Sequence, residues 1–273
     1  MKNPAKVDVI NCVFDNIGRT GIRHEGTGTV SGNTYTGKGA GDWLDYFILA
    51  EYGCDITIDG NTVTNCIGVA TLDGSTSSAI AVWDDPNTKT NIINNILTNN
   101  STGIGFAGIN STDPSYSWPQ ATIGTGNVIT GGDYGVQLGA WSGSKYNPTL
   151  TFGSTTLKGQ AIQAIAIAEN IGIGNRYNIS TVIIQNSGGT TITDNYAKED
   201  LVIHAIDAGN RGLFVWNANN VYVTTASFVT PATTTPSIQR GVDAALATWT
   251  VNVNNGTRSE ERRVGKECIS RWS

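Results

Sequence analysis

The sequence predicts an all-β chain wound as a solenoid of stacked parallel coils, followed by an irregular β segment and one short helix. Three observations carry this. One hexapeptide recurs in a single orientation, as NCVFDN (11–16), GNTYTG (32–37), GNTVTN (60–65), NNILTN (94–99) and GNVITG (126–131). Its fourth residue is always apolar or aromatic, and a short run of alternating apolar residues follows most copies. The composition agrees, with 33 glycines and only 14% charged residues, against about a quarter in ordinary globular chains.

The five copies place Phe14, Tyr35, Val63, Leu97 and Ile129 at intervals of 21, 28, 34 and 32 residues. Such spacings suit one turn of a solenoid and are too long for a hairpin ladder. A weaker copy, GQAIQA (159–164), sets Ile162 another 33 residues on. The second strands are GIRH (21–24), AIAVW (79–83), GIGF (103–106) and GVQL (135–138). Alternation over so few residues marks short strands with one buried face. Gly and Asn at the corners tolerate the left-handed backbone that a sharp bend requires. Coils stacked about 4.8 Å apart line up the fourth residues as an interior ladder, and corner asparagines are expected to bond from coil to coil. The unequal intervals are then loops of different length on one flank. An antiparallel sandwich does not account for a hexapeptide repeated in one direction.

On these residues the chain resembles the right-handed parallel β-helix, or pectin-lyase-like, family, with coils expected over residues 1–165. Residues 166–230 change character. TVIIQNS (181–187), DLVIHAID (200–207), GLFVWN (212–217) and NVYVTTASF (220–228) lack the hexapeptide. They read as closing coils or as a small β module capping the tube's exposed edge. Residues 231–257 read as a linker and the start of a further module. VTPATTTP (229–236) is the Pro/Thr linker, with Thr235 as N-cap and Pro236 at the first helical position. Ile238, Val242 and Ala245 then fall on one helical face, and TWTVNV follows as a strand. This stretch is similar to the opening of another β-helix in such families, with Ala247, Thr248 and Trp249 where a glycine usually precedes the strand. The resemblance implies a stiff structural segment of a large bacterial surface or adhesin-like protein, extracellular or on the cell surface, and a monomer.

Charge narrows the partners. The net charge is −5, and the last sixteen residues hold five Lys/Arg against three Asp/Glu, so the rest stands at −7. Nucleic acid is therefore not an expected partner. No run of apolar residues is long enough to span a bilayer, and no basic-then-apolar leader opens the chain. Cys12, Cys54 and Cys66 are too sparse and irregular for a disulfide framework or a zinc site, and read as small buried hydrophobes.

The resemblance also implies an alternative, a polysaccharide lyase or glycoside hydrolase using loop carboxylates. Hydrolysis needs two carboxylates at a set separation, and lyases combine calcium-binding acids with an Arg or Lys base. The candidate catalytic residues are Asp42 and Asp45 in GDWLDY and Asp84 and Asp85 in WDDPN, with Asp113 nearby in the pattern. Polygalacturonase-like members carry Asn-Thr-Asp, Asp-Asp, Gly-His-Gly and Arg-Ile-Lys, of which this chain has only the Asp-Asp. His24 is expected at a solvated strand end. Carbohydrate binding rests on aromatics assigned to the long loops, chiefly Trp43, Trp83, Trp118 and Trp141, beside Tyr46, Tyr116 and Tyr146. Such rings stack on sugar faces while polar neighbours bond the hydroxyls, and the partner is a polysaccharide or cell-surface glycan. No cofactor is expected; acidic loops allow calcium, but no D-x-D-x-D-G run is present.

The final RSEERRVGKECISRWS (258–273) is unlike the rest, with eight charged residues in sixteen. It resembles a common DNA-sequencing adapter translated in one frame, with Ile269 the single departure. It is expected to be an artefactual tail, exposed or disordered, whose deletion leaves folding unchanged.

Overall fold

The computed structural model describes residues 5–72, 74–83, 87–107, 119–139, 148–227 and 237–256. The adapter-like tail, Thr235 and Pro236 lie outside them. The chain forms a parallel β-helix solenoid, with three long all-parallel sheets running along the tube. Sheet I stacks Val9–Ile10, Thr27–Ser31, Asp55–Asp59, Lys89–Ile93, Gln120–Ile123 and Thr149–Phe152. Sheet II stacks Val13–Ile17, Thr34–Gly37, Thr62–Thr64, Ile96–Thr98, Val128–Thr130, Thr156–Lys158 and Ile183–Gln185. Sheet III stacks Thr20–His24, Tyr46–Ala50, Ser78–Trp83, Thr102–Ala107, Tyr134–Leu138, Gln163–Ile167 and Val202–Ile203.

The hexapeptide is sheet II with its two corners. Phe14, Tyr35, Val63, Leu97 and Ile129 are in register, and Leu157 and Ile184 extend the column. Ile162 does not belong to it. It is 50% exposed, between sheets II and III. The true sixth copy, STTLKG, has Thr155 where earlier coils have asparagine, so the motif was hidden by that change. Before sheet II the left-handed corner falls on Asn11, Gly32, Gly60, Asn94 and Gly126; at or just past its end, on Asn16, Asn65, Asn99, Gly131 and Gly159. Only Gly and Asn hold these positions, as the backbone requires.

Sheet I was not anticipated. Its strands run into the hexapeptide through a corner of two to four residues, as in DITIDGNTVTN, and so read as one alternating stretch. Its inward column is Val9, Val30, Ile58, Ile92, Ile123 and Phe152. Sheet III supplies Ile22, Ile48, Ile80, Ile104, Val136, Ile165 and Val202. These columns meet in one continuous core.

An asparagine ladder runs beside that core. Asn33, Asn61, Asn95 and Asn127 are buried, and each of the first three donates its side-chain amide to the next, at 2.9, 2.9 and 3.1 Å. The same oxygens also accept the backbone N–H of the preceding asparagine. Thr155 ends the run, with its hydroxyl 3.4 Å from the Asn127 amide.

The solenoid sheets continue past residue 165 through Ile183–Gln185 and Val202–Ile203. Two smaller parallel pairs follow, Arg176–Asn178 with Leu213–Val215 and Asn220–Val223 with Thr250–Val253. Helix α1 (Asn195–Glu199) was not foreseen; Asp194 caps it by accepting from the backbone of Tyr196 and Ala197. Helix α2 (Ser237–Ala244) is the expected one, but its inner face differs. Val242 is 51% exposed, whereas Arg240 and Gly241 are buried. A Cβ on Gly241 would lie 2.6 Å from Val223 and 3.1 Å from Val251. The helix therefore sits against the last strands through its glycine. Together with Ile238, Ala244 and Ala245 it covers a small second core of Ala205, Ile206, Leu213, Val221 and Val223.

Candidate functional site

The outer face of sheet III carries the main groove. Two connections, one of residues 38–45 and one whose described residues are 65–72 and 74–77, roof part of this face. Leu44 and Ala70 from these connections pack on Tyr46, Ala81 and Leu49. Tyr46 is thus a buried strand residue and not a loop ring. Beside this roof opens a groove of about 550 Å³ lined by Arg19, Arg23, Tyr46, Leu49, Glu51 and Trp83, among others. Glu51 is bonded by Arg23, whose guanidinium also lies 5.1 Å from the Tyr52 ring centroid.

The predicted carboxylates take structural positions. Asp42 accepts from the Trp43 N–H at 2.8 Å and from the Thr71 N–H and hydroxyl at 2.9 and 3.0 Å. These bonds staple the two connections together and hold its carboxyl below the ordinary range. Asp45 is buried beneath them. It accepts from the Tyr35 hydroxyl and from the Lys38 N–H, and burial pushes its carboxyl up in spite of both. Asp84, Asp85, Asp113, Trp118, Trp141, Tyr116 and Tyr146 lie outside the described residues.

Of the four tryptophans nominated for binding, Trp43 and Trp83 are described, and only Trp83 lines the groove itself. Trp83 ends its strand and lines the wall. Trp43 is 55% exposed with φ of 73°, in the left-handed region. A bulky residue there is strained by about 1–3 kcal/mol, so the fold holds this ring outward against its backbone preference. The Arg19 guanidinium lies 5.7 Å from its centroid and also lines the groove, joining the two tryptophans into one surface. Arg19, Arg23 and Glu51 escaped sequence reasoning because they come from two coils, the arginines from one and Glu51 from the next, and share no motif.

The other chemical cluster is buried. Glu199, His204 and Asp207 are each no more than 3% exposed. His204 Nε2 faces Glu199 Oε1 at 3.0 Å, Nδ1 accepts from the Phe214 N–H at 3.0 Å, and Asp207 accepts from the His204 N–H at 2.8 Å. Burial opposes a proton on the ring, but the charge and hydrogen bond of Glu199 outweigh it and raise its pKa. With Nδ1 accepting from Phe214, the ring's Nε2–H donates to Glu199. The ring also stacks on Phe214 and Trp216. Buried throughout, this cluster fastens α1 to the strands behind it. His24 is likewise buried and not solvated, with Nε2 3.1 Å from the Val7 carbonyl.

Cys54 and Cys66 are buried, while Cys12 is exposed. Among the described residues no three His, Cys, Asp or Glu side chains are grouped to hold a metal ion, and no helix is long and apolar enough to cross a membrane. Comparison with protein-family profiles, with curated proteins and with solved structures returned no match.

Proposed function

We propose that this chain is a non-catalytic structural segment of a bacterial surface or adhesin-like protein of the pectin-lyase-like kind, working outside the cell, whose sheet III groove binds carbohydrate. The supporting observation is Trp43, held exposed on a strained backbone and joined through Arg19 to the groove that Trp83 lines. Rings of this kind stack on the apolar faces of sugars, and Arg19, Arg23 and Glu51 offer bonds to hydroxyls. The stacked sheets and the asparagine ladder give a stalk whose hydrogen bonds run along its length.

A glycan array probed with the full chain, with and without calcium, tests this. Saturable binding is expected, and Trp83→Ala should weaken it about tenfold or more, as removal of a central aromatic anchor does. Unchanged binding in that variant would remove the groove from the reading. The alternative, a polysaccharide lyase or hydrolase, keeps one point in its favour: Asp84 and Asp85 follow groove-lining Trp83 directly in the chain. Release of reducing or unsaturated ends, abolished by Asp84→Ala with Asp85→Ala, would establish it over the structural reading.

A further inference from the structure

All five arginines of the described residues line one of two cavities. Arg19 and Arg23 line the groove, and Arg176, Arg211 and Arg240 line a separate cavity of about 220 Å³ between α2 and the coil beneath it. We propose that this second cavity is an anion site, taking one sulfate, phosphate or carboxylate group of a small ligand.

The charge of its lining is one-sided. Asp243 is the one acidic residue there, and its carboxylate accepts from Gln239 at 2.7 Å. The arginines are held mainly by carbonyl oxygens, which occupy donors without cancelling charge. Arg176 donates to the Ala244 carbonyl at 3.0 Å, closing the C-terminus of α2, and lies 5.7 Å from the Trp249 ring centroid. Arg240 donates to the carbonyls of Ile206 and Ser227. Arg211 donates to the Ile167 carbonyl and reaches Glu169 only at 3.7 Å, where that carboxylate is more than half exposed. Its Nε is buried with no acceptor at all. A guanidinium taken out of water with one loose ion pair and an unbonded Nε is incompletely compensated, and an oxyanion in the cavity offsets that cost with charge-assisted bonds.

The walls fit a small group. Gly174 and Gly209 both line the cavity, and where a Cβ would stand each has open space, so a ligand can approach the backbone there. The volume is below the roughly 300–1,000 Å³ of sites for larger organic ligands. One anionic group, or one sugar carrying it, is the scale that fits.

Calorimetric titration of the full chain with sodium sulfate, sodium phosphate and sodium glucuronate, each against sodium chloride of equal ionic strength, is the test. Saturable binding of at least one oxyanion is expected, and the three arms show which group is preferred. Arg176→Gln should weaken that binding about tenfold, the loss of one charge-assisted bond. Asp243→Asn, on the exposed side of α2, should strengthen it several-fold and leaves the arginines in place. Binding by none of the three salts, or equal affinity in both variants, would overturn the assignment. Trp83→Ala should not alter it, which separates this site from the groove.

Discussion

At Asn95 a single side chain joins three coils. It accepts the backbone and amide donors of Asn61, and donates to the carbonyls of Ile58 and Ile93 and to Asn127. Asn95→Ala strands those groups in the interior and is expected to cost about 3 kcal/mol. Thr98→Ala, one strand away but facing outward, should stay within about 0.5 kcal/mol. Urea denaturation of both variants checks the contrast, and equal losses would deny the ladder its role. This ladder was legible in the sequence as the recurring second letter of the hexapeptide. Its end was not, because Thr155 fills the same place with a hydroxyl that matches no amide pattern. Asp42 and Asp45 show the opposite difficulty. Their spacing gives the same sequence signal whether the carboxylates face a substrate or staple two connections, and only the partners Thr71 and Tyr35 distinguish these.

Among the elements, corners carry the specification. Gly132 has φ of 72°, and a Cβ there would stand 1.8 Å from the Asn100 carbonyl oxygen. Gly60 has φ of 65° with open space around it. Gly60→Ala should therefore cost only the left-handed penalty, about 1–2 kcal/mol, whereas Gly132→Ala must also displace the backbone of the coil before it. Thermal melts are expected to rank Gly132→Ala well below Gly60→Ala; a reversed order would contradict the packing described. Sheets II and III were readable because one is the repeated hexapeptide and the other the alternating run that follows most copies of it. Sheet I was concealed by its smooth alternation into the next strand. The groove was illegible for a different reason: its walls come from strands of successive coils, and residues 19, 23, 51 and 83 become neighbours only when those coils stack.

For the molecule as a whole, buried acids set the pH response. Burial pushes the Asp207 carboxyl up to about 7 from an ordinary 3.8, and Asp45 and His204 shift upward too. A raised folded pKa means the native state holds its proton more tightly than the unfolded chain. For Asp207 that advantage is complete below about 4 and is lost as pH rises through about 7. Stability should accordingly fall between pH 5 and pH 8, and Asp207→Asn should flatten the fall, since an amide oxygen still accepts from the His204 N–H. Urea midpoints at the two pH values decide it; an undiminished slope in the variant would place the proton elsewhere. The asparagine ladder has a last, electrical consequence. Backbone donors fix every amide oxygen on its N-terminal side, so the side-chain dipoles of Asn33, Asn61, Asn95 and Asn127 all point the same way along the axis. Sheet dipoles largely cancel, but this column does not. The tube is polar like a small battery, with partial positive charge toward its later coils, and its two ends are not equivalent to anything that approaches them.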